Sequence, residues 1–139
     1  MEHNFDILLV EDNPNDADLI LRALRKKSLA DLVARARDGQ EALDFFFAQP
    51  HMPCVRVILL DLKMPKVSGL EVLRQIKADP RTKCIPVVVL TSSQARSDIL
   101  ECYRLGANSY IVKPMELREL TQVIGDLGTY WVRSNHLPA

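Results

Sequence analysis

Residues 57–66 read VILLDLKMPK, in which four apolar residues lead directly into the carboxylate of Asp61. An uninterrupted apolar run of this kind is typical of a strand that is covered on both faces of a sheet. A carboxylate at the end of such a strand is costly to bury without a partner. The stretch therefore predicts a central strand and raises the question of which residues meet Asp61.

The rest of the chain alternates short apolar runs with longer segments of helical spacing. Ala17, Ile20 and Leu24 share one face of a first helix, which Asn13 can cap and Pro14 can begin. The predicted strands cover residues 6–10, 32–36, 55–60, 85–90 and 109–112; a second helix follows the turn at 38–39, and three more lie within 68–80, 95–105 and 116–131. This alternation predicts an α/β domain with a parallel sheet and right-handed crossovers.

The composition is that of one globular domain of 139 residues, with 47% hydrophobic and 26% charged residues. The 18 basic and 18 acidic residues cancel, so no net charge draws the chain to nucleic acid or to an anionic membrane. No apolar run approaches the roughly 20 residues of a membrane span, and the N-terminus lacks a signal-peptide pattern. We expect a cytoplasmic protein that binds neither nucleic acid nor membrane. Its scattered cysteines, Cys54, Cys84 and Cys102, are predicted to be free thiols, buried or partly buried.

Chemically active residues follow four of the five predicted strands, at the sheet edge where α/β proteins bind ligands. They are Glu11 and Asp12 after the first strand, Asp61 after the third, Thr91 after the fourth and Lys113 after the fifth. Carboxylates about 4 Å apart repel by roughly 4 kcal/mol at an effective dielectric constant near 20, which one lysine offsets only in part. Mg²⁺ prefers such oxygen ligands. A cation, a hydroxyl and a lysine together suit a phosphoryl group, with Asp61 as the nucleophile.

Four segments carry a resemblance to a known family: ILLVEDN, ILLDLKMPKVSGLEVL, VVVLTSS and GANSYIVKP. In this order they resemble the receiver domains of two-component response regulators, in the group similar to the chemotaxis regulator. The resemblance covers about residues 5–127. It implies a single doubly wound, flavodoxin-like (βα)5 domain, with a five-stranded parallel sheet in the order 2-1-3-4-5 and helices on both faces.

The resemblance implies a phosphoacceptor site that depends on a divalent cation. Asp61 would accept a phosphoryl group from the phosphohistidine of a sensor histidine kinase or of a phosphotransfer protein. Glu11, Asp12, Asp61 and the backbone carbonyl of Lys63 would bind Mg²⁺ or Mn²⁺, and Lys113 would pair with the phosphoryl oxygens. The protein would then be a phosphoacceptor with slow self-dephosphorylation, and not an enzyme that turns over a substrate.

The resemblance also implies a conformational switch. The hydroxyl of Thr91 would move to the phosphoryl group, and Tyr110 would turn inward with it. This movement repacks the surface formed by the fourth helix, the fifth strand and the fifth helix, which we call the switch face. The peptide bond between Lys113 and Pro114 is expected to be cis.

We expect residues 1–139 to form one receiver domain without an output domain, with its core at about 5–127 and an extension of the last helix and tail at 128–139. The segments FFFAQPHMPCVR and LGTYWVRSNHLP resemble the single-domain regulators that pair with phytochrome-type kinases. Trp131 lies beyond the part of the last helix that five strands can cover. We therefore predict a homodimer through the switch face and the C-terminal extension, including Trp131.

Two alternative functions differ from a phosphorylatable switch. A degenerate receiver would act as a constitutive interaction module, although every residue that the site requires is present. A phosphatase of the haloacid dehalogenase type would carry a second Asp two positions after the nucleophile, where this chain has Lys63. Lys63 itself, and Ser92 in place of a usual Ala or Gly, depart from the receiver pattern without removing a required group.

Overall fold

A five-stranded parallel sheet forms the centre of the structure, a computed structural model that describes residues 5–138. Its strands are β1 (Ile7–Val10), β2 (Val33–Ala36), β3 (Val57–Leu60), β4 (Val87–Thr91) and β5 (Ser109–Val112). The spatial order is β2-β1-β3-β4-β5, and every neighbouring pair is parallel. The predicted flavodoxin-like fold class is confirmed.

Five helices connect the strands and cover both faces of the sheet. They are α1 (Pro14–Arg25), α2 (Gly39–Phe47), α3 (Gly69–Ala78), α4 (Arg96–Leu105) and α5 (Leu117–Thr129). The side chain of Asn13 caps α1, and Gly106 ends α4 in the left-handed conformation at φ 106°, both as the sequence predicts. No helix within residues 5–138 is both long and apolar enough to cross a membrane.

Side chains of the central strands alternate between two apolar clusters, as the period of a β-strand requires. Leu8, Ile58 and Val87 point to the face covered by α2, α3 and α4. Val57 and Leu59 point to the opposite face, which is covered by α1 and α5. Because β1, β3 and β4 are buried on both faces, polar side chains are accommodated where these strands end.

The observed elements differ from the predicted ones at their ends. β3 and β4 each begin two residues later than predicted, since Pro86 has no N–H for the ladder and the N–H groups of both Arg56 and Val57 donate to one carbonyl, that of Asp6. The α-helical part of the last helix ends at Thr129. A π-helical turn, Tyr130–Ser134, follows it and brings the partly buried Trp131 against the cluster beneath α1 and α5.

The three cysteines are free, as predicted, but the predicted burial is wrong for two of them. Cys54 and Cys84 are exposed because they lie in the loops that precede β3 and β4, while Cys102 in α4 is buried.

We expect Gly69→Ala to lower the free energy of unfolding, measured in urea, by about 1–3 kcal/mol through overpacking. A Cβ at this position would lie 2.2 Å from the carbonyl oxygen of Asp61 and 2.6 Å from the Cα of Leu62, and neither backbone atom can move freely. Gly125→Ala is the matched control, because its Cβ would meet first the flexible end of Lys27, at 3.0 Å. The control is expected to be neutral or stabilised by up to about 1 kcal/mol, as Ala favours helices. Equal effects of the two substitutions would contradict the close approach behind Asp61.

Candidate functional site

Three of the predicted acids converge where β1 and β3 end. Val10 pairs with Leu60 in register, and the N–H of Asp61 continues the ladder by donating to the carbonyl of Val10 at 3.0 Å. One carboxylate oxygen from each of Glu11, Asp12 and Asp61 lies within 4.8 Å of the others. The parallel direction of the strands therefore brings together acids that are about 50 positions apart in the sequence.

The ammonium group of Lys113 is bound by three carboxylates. Its Nζ donates to Glu11 Oε1 at 2.5 Å, to Asp16 Oδ2 at 3.0 Å and to Asp61 Oδ2 at 3.1 Å. An ammonium has three hydrogens, so each carboxylate can receive one. The Lys113 side chain is 10% exposed and that of Glu11 is 1% exposed, so water screens this pairing weakly.

Asp16 was not among the residues predicted from the sequence. This residue lies in the first turn of α1, four positions after Asp12, and a carboxylate there points towards the end of the sheet from which the helix starts. That spacing is the signal that could have identified it. Arg35 was also missed, because the second strand showed no reactive group. Its guanidinium donates to the carbonyl oxygen of Glu11, a contact that no sequence pattern indicates.

The pKa values of Glu11 and Lys113 are both raised, which favours the neutral form of the acid and the charged form of the lysine. Burial raises the pKa of Glu11 to about 7, and the negative charge of Asp61 adds to this effect, although the hydrogen bond from Lys113 opposes it. Burial acts to lower the pKa of Lys113, but the hydrogen bond and charge of Glu11 and the charge of Asp61 outweigh it and raise that pKa. Lys113 therefore stays a cation, while Glu11 can gain or lose a proton near neutral pH.

The hydroxyl of Thr91 and the ring of Tyr110 meet the same loop, between β4 and α4. Thr91 is fully buried, and its Oγ1 accepts the N–H of Ser93 at 3.4 Å. The Tyr110 hydroxyl donates to the carbonyl of Ser93 at 2.9 Å, and the Ser93 hydroxyl donates to Asp98 at 2.5 Å. The ring of Tyr110 packs against the core cluster in this state. The predicted movements of Thr91 and Tyr110 stay predictions.

Three further predicted positions have different outcomes. The N–H of Lys63 donates to Asp61 Oδ1 at 3.4 Å, whereas the use of its carbonyl as a metal ligand stays a prediction. The exposed Ser92 lies beside Thr91 at the end of β4.

The expected cis bond before Pro114 is wrong, since no peptide bond in residues 5–138 is cis. The trans form is the intrinsically favoured one by about 0.5–1 kcal/mol, and Lys113 reaches its three carboxylates with it.

The donor set fits a hard divalent cation. Glu11, Asp12 and Asp61 offer carboxylate oxygens only, which Mg²⁺ and Mn²⁺ prefer over nitrogen or sulfur ligands. Asp12 is partly exposed, so water can reach the cluster and complete a coordination shell.

Comparison with known proteins identifies a family whose model covers most of this chain. A family model described as response regulator receiver domain matches residues 7–125. The "Probable methanogenesis regulatory protein FilR2" of Methanothrix harundinacea is 40% identical, over 99% of this chain and 90% of the relative. The response regulator Rcp1 of Synechocystis sp. is 38% identical, over 96% of this chain and 92% of the relative.

Solved structures agree with this comparison. The phosphorylated cyanobacterial phytochrome response regulator RcpA is 40% identical and has a TM-score of 0.87, covering 98% of this chain and 99% of its own. The Mn²⁺-bound form of Rcp1 is 38% identical and has a TM-score of 0.87, covering 96% of this chain and 98% of its own.

We expect the raised pKa of Glu11 to make stability fall with rising pH when divalent cations are removed by EDTA. A raised acid pKa stabilises the folded state fully below the unfolded value of 4.5, and this contribution is lost as the pH rises through about 7. The raised pKa of Lys113 contributes no change in this window, because that group stays charged in both states. Urea unfolding from pH 4 to 8 should therefore show a steeper loss for the wild type than for Glu11→Gln.

The exposed Glu119→Gln is the matched control and should keep the wild-type slope. Parallel pH profiles of the wild type and Glu11→Gln would contradict the raised pKa.

Proposed function

The chain belongs to the response regulator receiver domain family, and on that premise we propose that Asp61 is its phosphoacceptor. The observation that carries the proposal is the 3.1 Å contact from Lys113 Nζ to Asp61 Oδ2, beside the acidic pair Glu11 and Asp12. Asp61 is 9% exposed and lies where β3 ends, at the edge of the sheet.

In the proposed reaction, a carboxylate oxygen of Asp61 attacks the phosphorus of a phosphohistidine on the partner protein. The new P–O bond forms as the P–N bond breaks, and the imidazole leaves with the bonding electron pair. The Lys63 N–H and the Lys113 ammonium contact different oxygens of Asp61, so the carboxylate is oriented before the donor arrives. Lys113 then exchanges its hydrogen bond to Asp61 for one to a phosphoryl oxygen.

We propose that Glu11, Asp12 and Asp61 bind Mg²⁺, with the backbone carbonyl of Lys63 as a further ligand, and that Mn²⁺ can replace it. The all-oxygen donor set supports this assignment, as does the Mn²⁺-bound structure of the relative Rcp1. When bound, such a cation neutralises charge on the phosphoryl oxygens. Binding also requires Glu11 to be deprotonated, so the raised pKa of this residue makes cation affinity rise towards neutral pH.

The proposed switch starts at Thr91, whose buried hydroxyl can leave the N–H of Ser93 to bind a phosphoryl oxygen. Ser93 is also bonded to Tyr110 and to Asp98 at the start of α4. A shift of this loop therefore has a direct hydrogen-bonded route to β5 and α4, which are two of the three parts of the switch face. The ring of Tyr110 would move with the loop, whether or not its hydroxyl remains hydrogen-bonded to the carbonyl of Ser93.

The proposed phosphodonor is a sensor histidine kinase of the phytochrome type or a phosphotransfer protein that serves one. The relatives RcpA and Rcp1 support the phytochrome assignment. The relative FilR2 is named as a probable methanogenesis regulatory protein. A test of which kinases phosphorylate this chain should therefore also include kinases that are not of the phytochrome type. We propose that this reaction takes place in the cytoplasm.

We propose a phosphoacceptor and not a turnover enzyme, because the reaction ends with the phosphoryl group on the protein's own Asp61. A phosphatase of the haloacid dehalogenase type carries a second Asp two positions after the nucleophile as its general acid, and this chain has the exposed Lys63 there. The alternative of a degenerate receiver has no support in the geometry, because the acids and Lys113 are already in contact.

A homodimer through the switch face is the proposed output of this domain. Large apolar side chains that are exposed by half or more lie on α4, just before α5, at its first residue and just after it: Leu100, Tyr103, Met115, Leu117 and Tyr130. Exposed apolar groups of this kind mark contact surfaces. Trp131 is partly buried against its own core, so its contribution to the proposed interface is limited to its exposed edge.

We expect incubation with acetyl phosphate and Mg²⁺ to add one base-labile phosphoryl group, and Asp61→Asn to abolish it. The amide keeps the shape of the side chain but is not a nucleophile. Intact-mass spectrometry and labelling with radioactive phosphate measure the product. EDTA should also abolish labelling, because no cation would then neutralise the negative charge of the phosphoryl oxygens beside the acids.

Asp126→Asn, an exposed acid on α5, is the matched control and should be labelled like the wild type. Labelling of Asp61→Asn at the wild-type level would refute the assignment of the phosphoacceptor.

We expect beryllofluoride with Mg²⁺ to convert the protein to a dimer in sedimentation experiments at micromolar concentration. The double variant Leu100→Glu, Tyr103→Glu should stay monomeric, because it places charge in the apolar part of the switch face. Ala78→Glu, at the exposed end of α3, should dimerise normally. This interface would be ruled out if the wild type stayed monomeric both with and without beryllofluoride. It would also be ruled out if the double variant formed a dimer.

A further inference from the structure

The side chain of Arg35 reaches from the edge strand β2 to the backbone of the acidic pair. Its Nε and Nη2 both donate to the carbonyl oxygen of Glu11, at 3.3 and 3.1 Å. Arg35 is partly buried and pairs with Leu9 in the β1–β2 register, so its side chain starts two residues before Glu11 and runs along β1.

This contact takes the place of a backbone hydrogen bond. The N–H of Glu11 continues the β1–β2 ladder by donating to the carbonyl of Ala36 at 3.1 Å. A regular parallel ladder would next bring a backbone N–H of β2 to the carbonyl of Glu11. However, β2 ends at Ala36, the N–H of Arg37 donates to the side chain of Glu41 at 3.3 Å, and the chain turns into α2 at Gly39. The forked guanidinium of Arg35 supplies the donors at that carbonyl instead.

We propose that Arg35 is a positioning residue for the cation site, an inference that rests on the proposed function. The carbonyl of Glu11 belongs to the peptide unit that joins Glu11 to Asp12. Because this unit is planar, fixing its oxygen restricts the rotation of both flanking residues and so the directions of both carboxylates. Arg35 therefore sets the geometry of two cation ligands without contacting the cation.

Positioning and charge have opposite effects here, which makes the inference testable. Removing a nearby positive charge alone would strengthen the binding of a divalent cation. Removing an outer residue that orients the ligands weakens binding, typically by 10-fold or more. Weaker binding in a folded variant that lacks the Arg35 charge therefore reports the loss of orientation and not the loss of charge.

The test is isothermal titration of the full chain with Mn²⁺, and with Mg²⁺ by competition, without a phosphodonor. For Arg35→Gln we expect the dissociation constant to rise about tenfold. Arg35→Lys, which keeps the charge and some donor capacity, should lie between that variant and the wild type. Arg37→Gln is the matched control: this exposed arginine follows the same strand, and the hydrogen bond it makes uses its backbone N–H, so its affinity should be unchanged or slightly higher.

Urea unfolding of the same variants separates positioning from a merely structural role. Arg35→Gln with wild-type cation affinity, whatever its stability, would overturn the inference, as would equal affinities of Arg35→Gln and Arg37→Gln. A wild type that binds no Mn²⁺ would overturn it together with the cation site. Phosphorylation is not part of this measurement, so a failed assignment of Asp61 as phosphoacceptor would be seen separately, in the labelling of Asp61→Asn.

Discussion

The ammonium group of Lys113 is the constraint on which the candidate site depends. It contacts one carboxylate from the end of β1, one from the first turn of α1 and one from the end of β3. Without a cation at this point, these acids would repel one another by several kcal/mol in a weakly screened environment. A divalent cation would use two of the same carboxylates, those of Glu11 and Asp61. Occupation of the proposed cation site would therefore be coupled to the pairing of Lys113, while Asp16, which lies outside the acidic cluster, could remain bonded to the lysine.

The backbone positions the acids around this lysine. Parallel pairing brings the ends of β1 and β3 to the same level, because Val10 and Leu60 are in register. Behind Asp61, Gly69 allows the start of α3 to approach the Asp61 carbonyl more closely than any side chain would permit. Beside Glu11, Arg35 completes the hydrogen bonding of a strand whose neighbour has ended. The acids are thus held by close backbone contacts on both sides.

The loop after β4 links this chemistry to the surface. Ser93 accepts from Tyr110, donates to Asp98 and donates its N–H to the buried hydroxyl of Thr91. Ser93 makes all three contacts and therefore connects Thr91 in the site directly to Asp98 at the start of α4. Since buried polar groups are costly to leave unpaired, a change in the partner of Thr91 must be compensated within this small network. Asp98, at one end of this network, lies in α4, which also carries the exposed apolar side chains of Leu100 and Tyr103.

The sequence by itself determined the order of the elements and the acids at the strand ends, because apolar periodicity reports which segments are strands, and parallel strands end at one edge. Glu11, Asp12, Asp61 and Lys113 followed from that rule. The cis bond that the family resemblance implied before Pro114 is wrong, and so is the burial that the cysteine pattern predicted for Cys54 and Cys84, since loop conformation and burial depend on what packs nearby. Only the tertiary structure decided that Asp16 joins Lys113, that Arg35 holds the carbonyl of Glu11, and that burial raises the pKa of Glu11. These features depend on distances and desolvation between residues 24 to 102 positions apart, which local patterns do not encode.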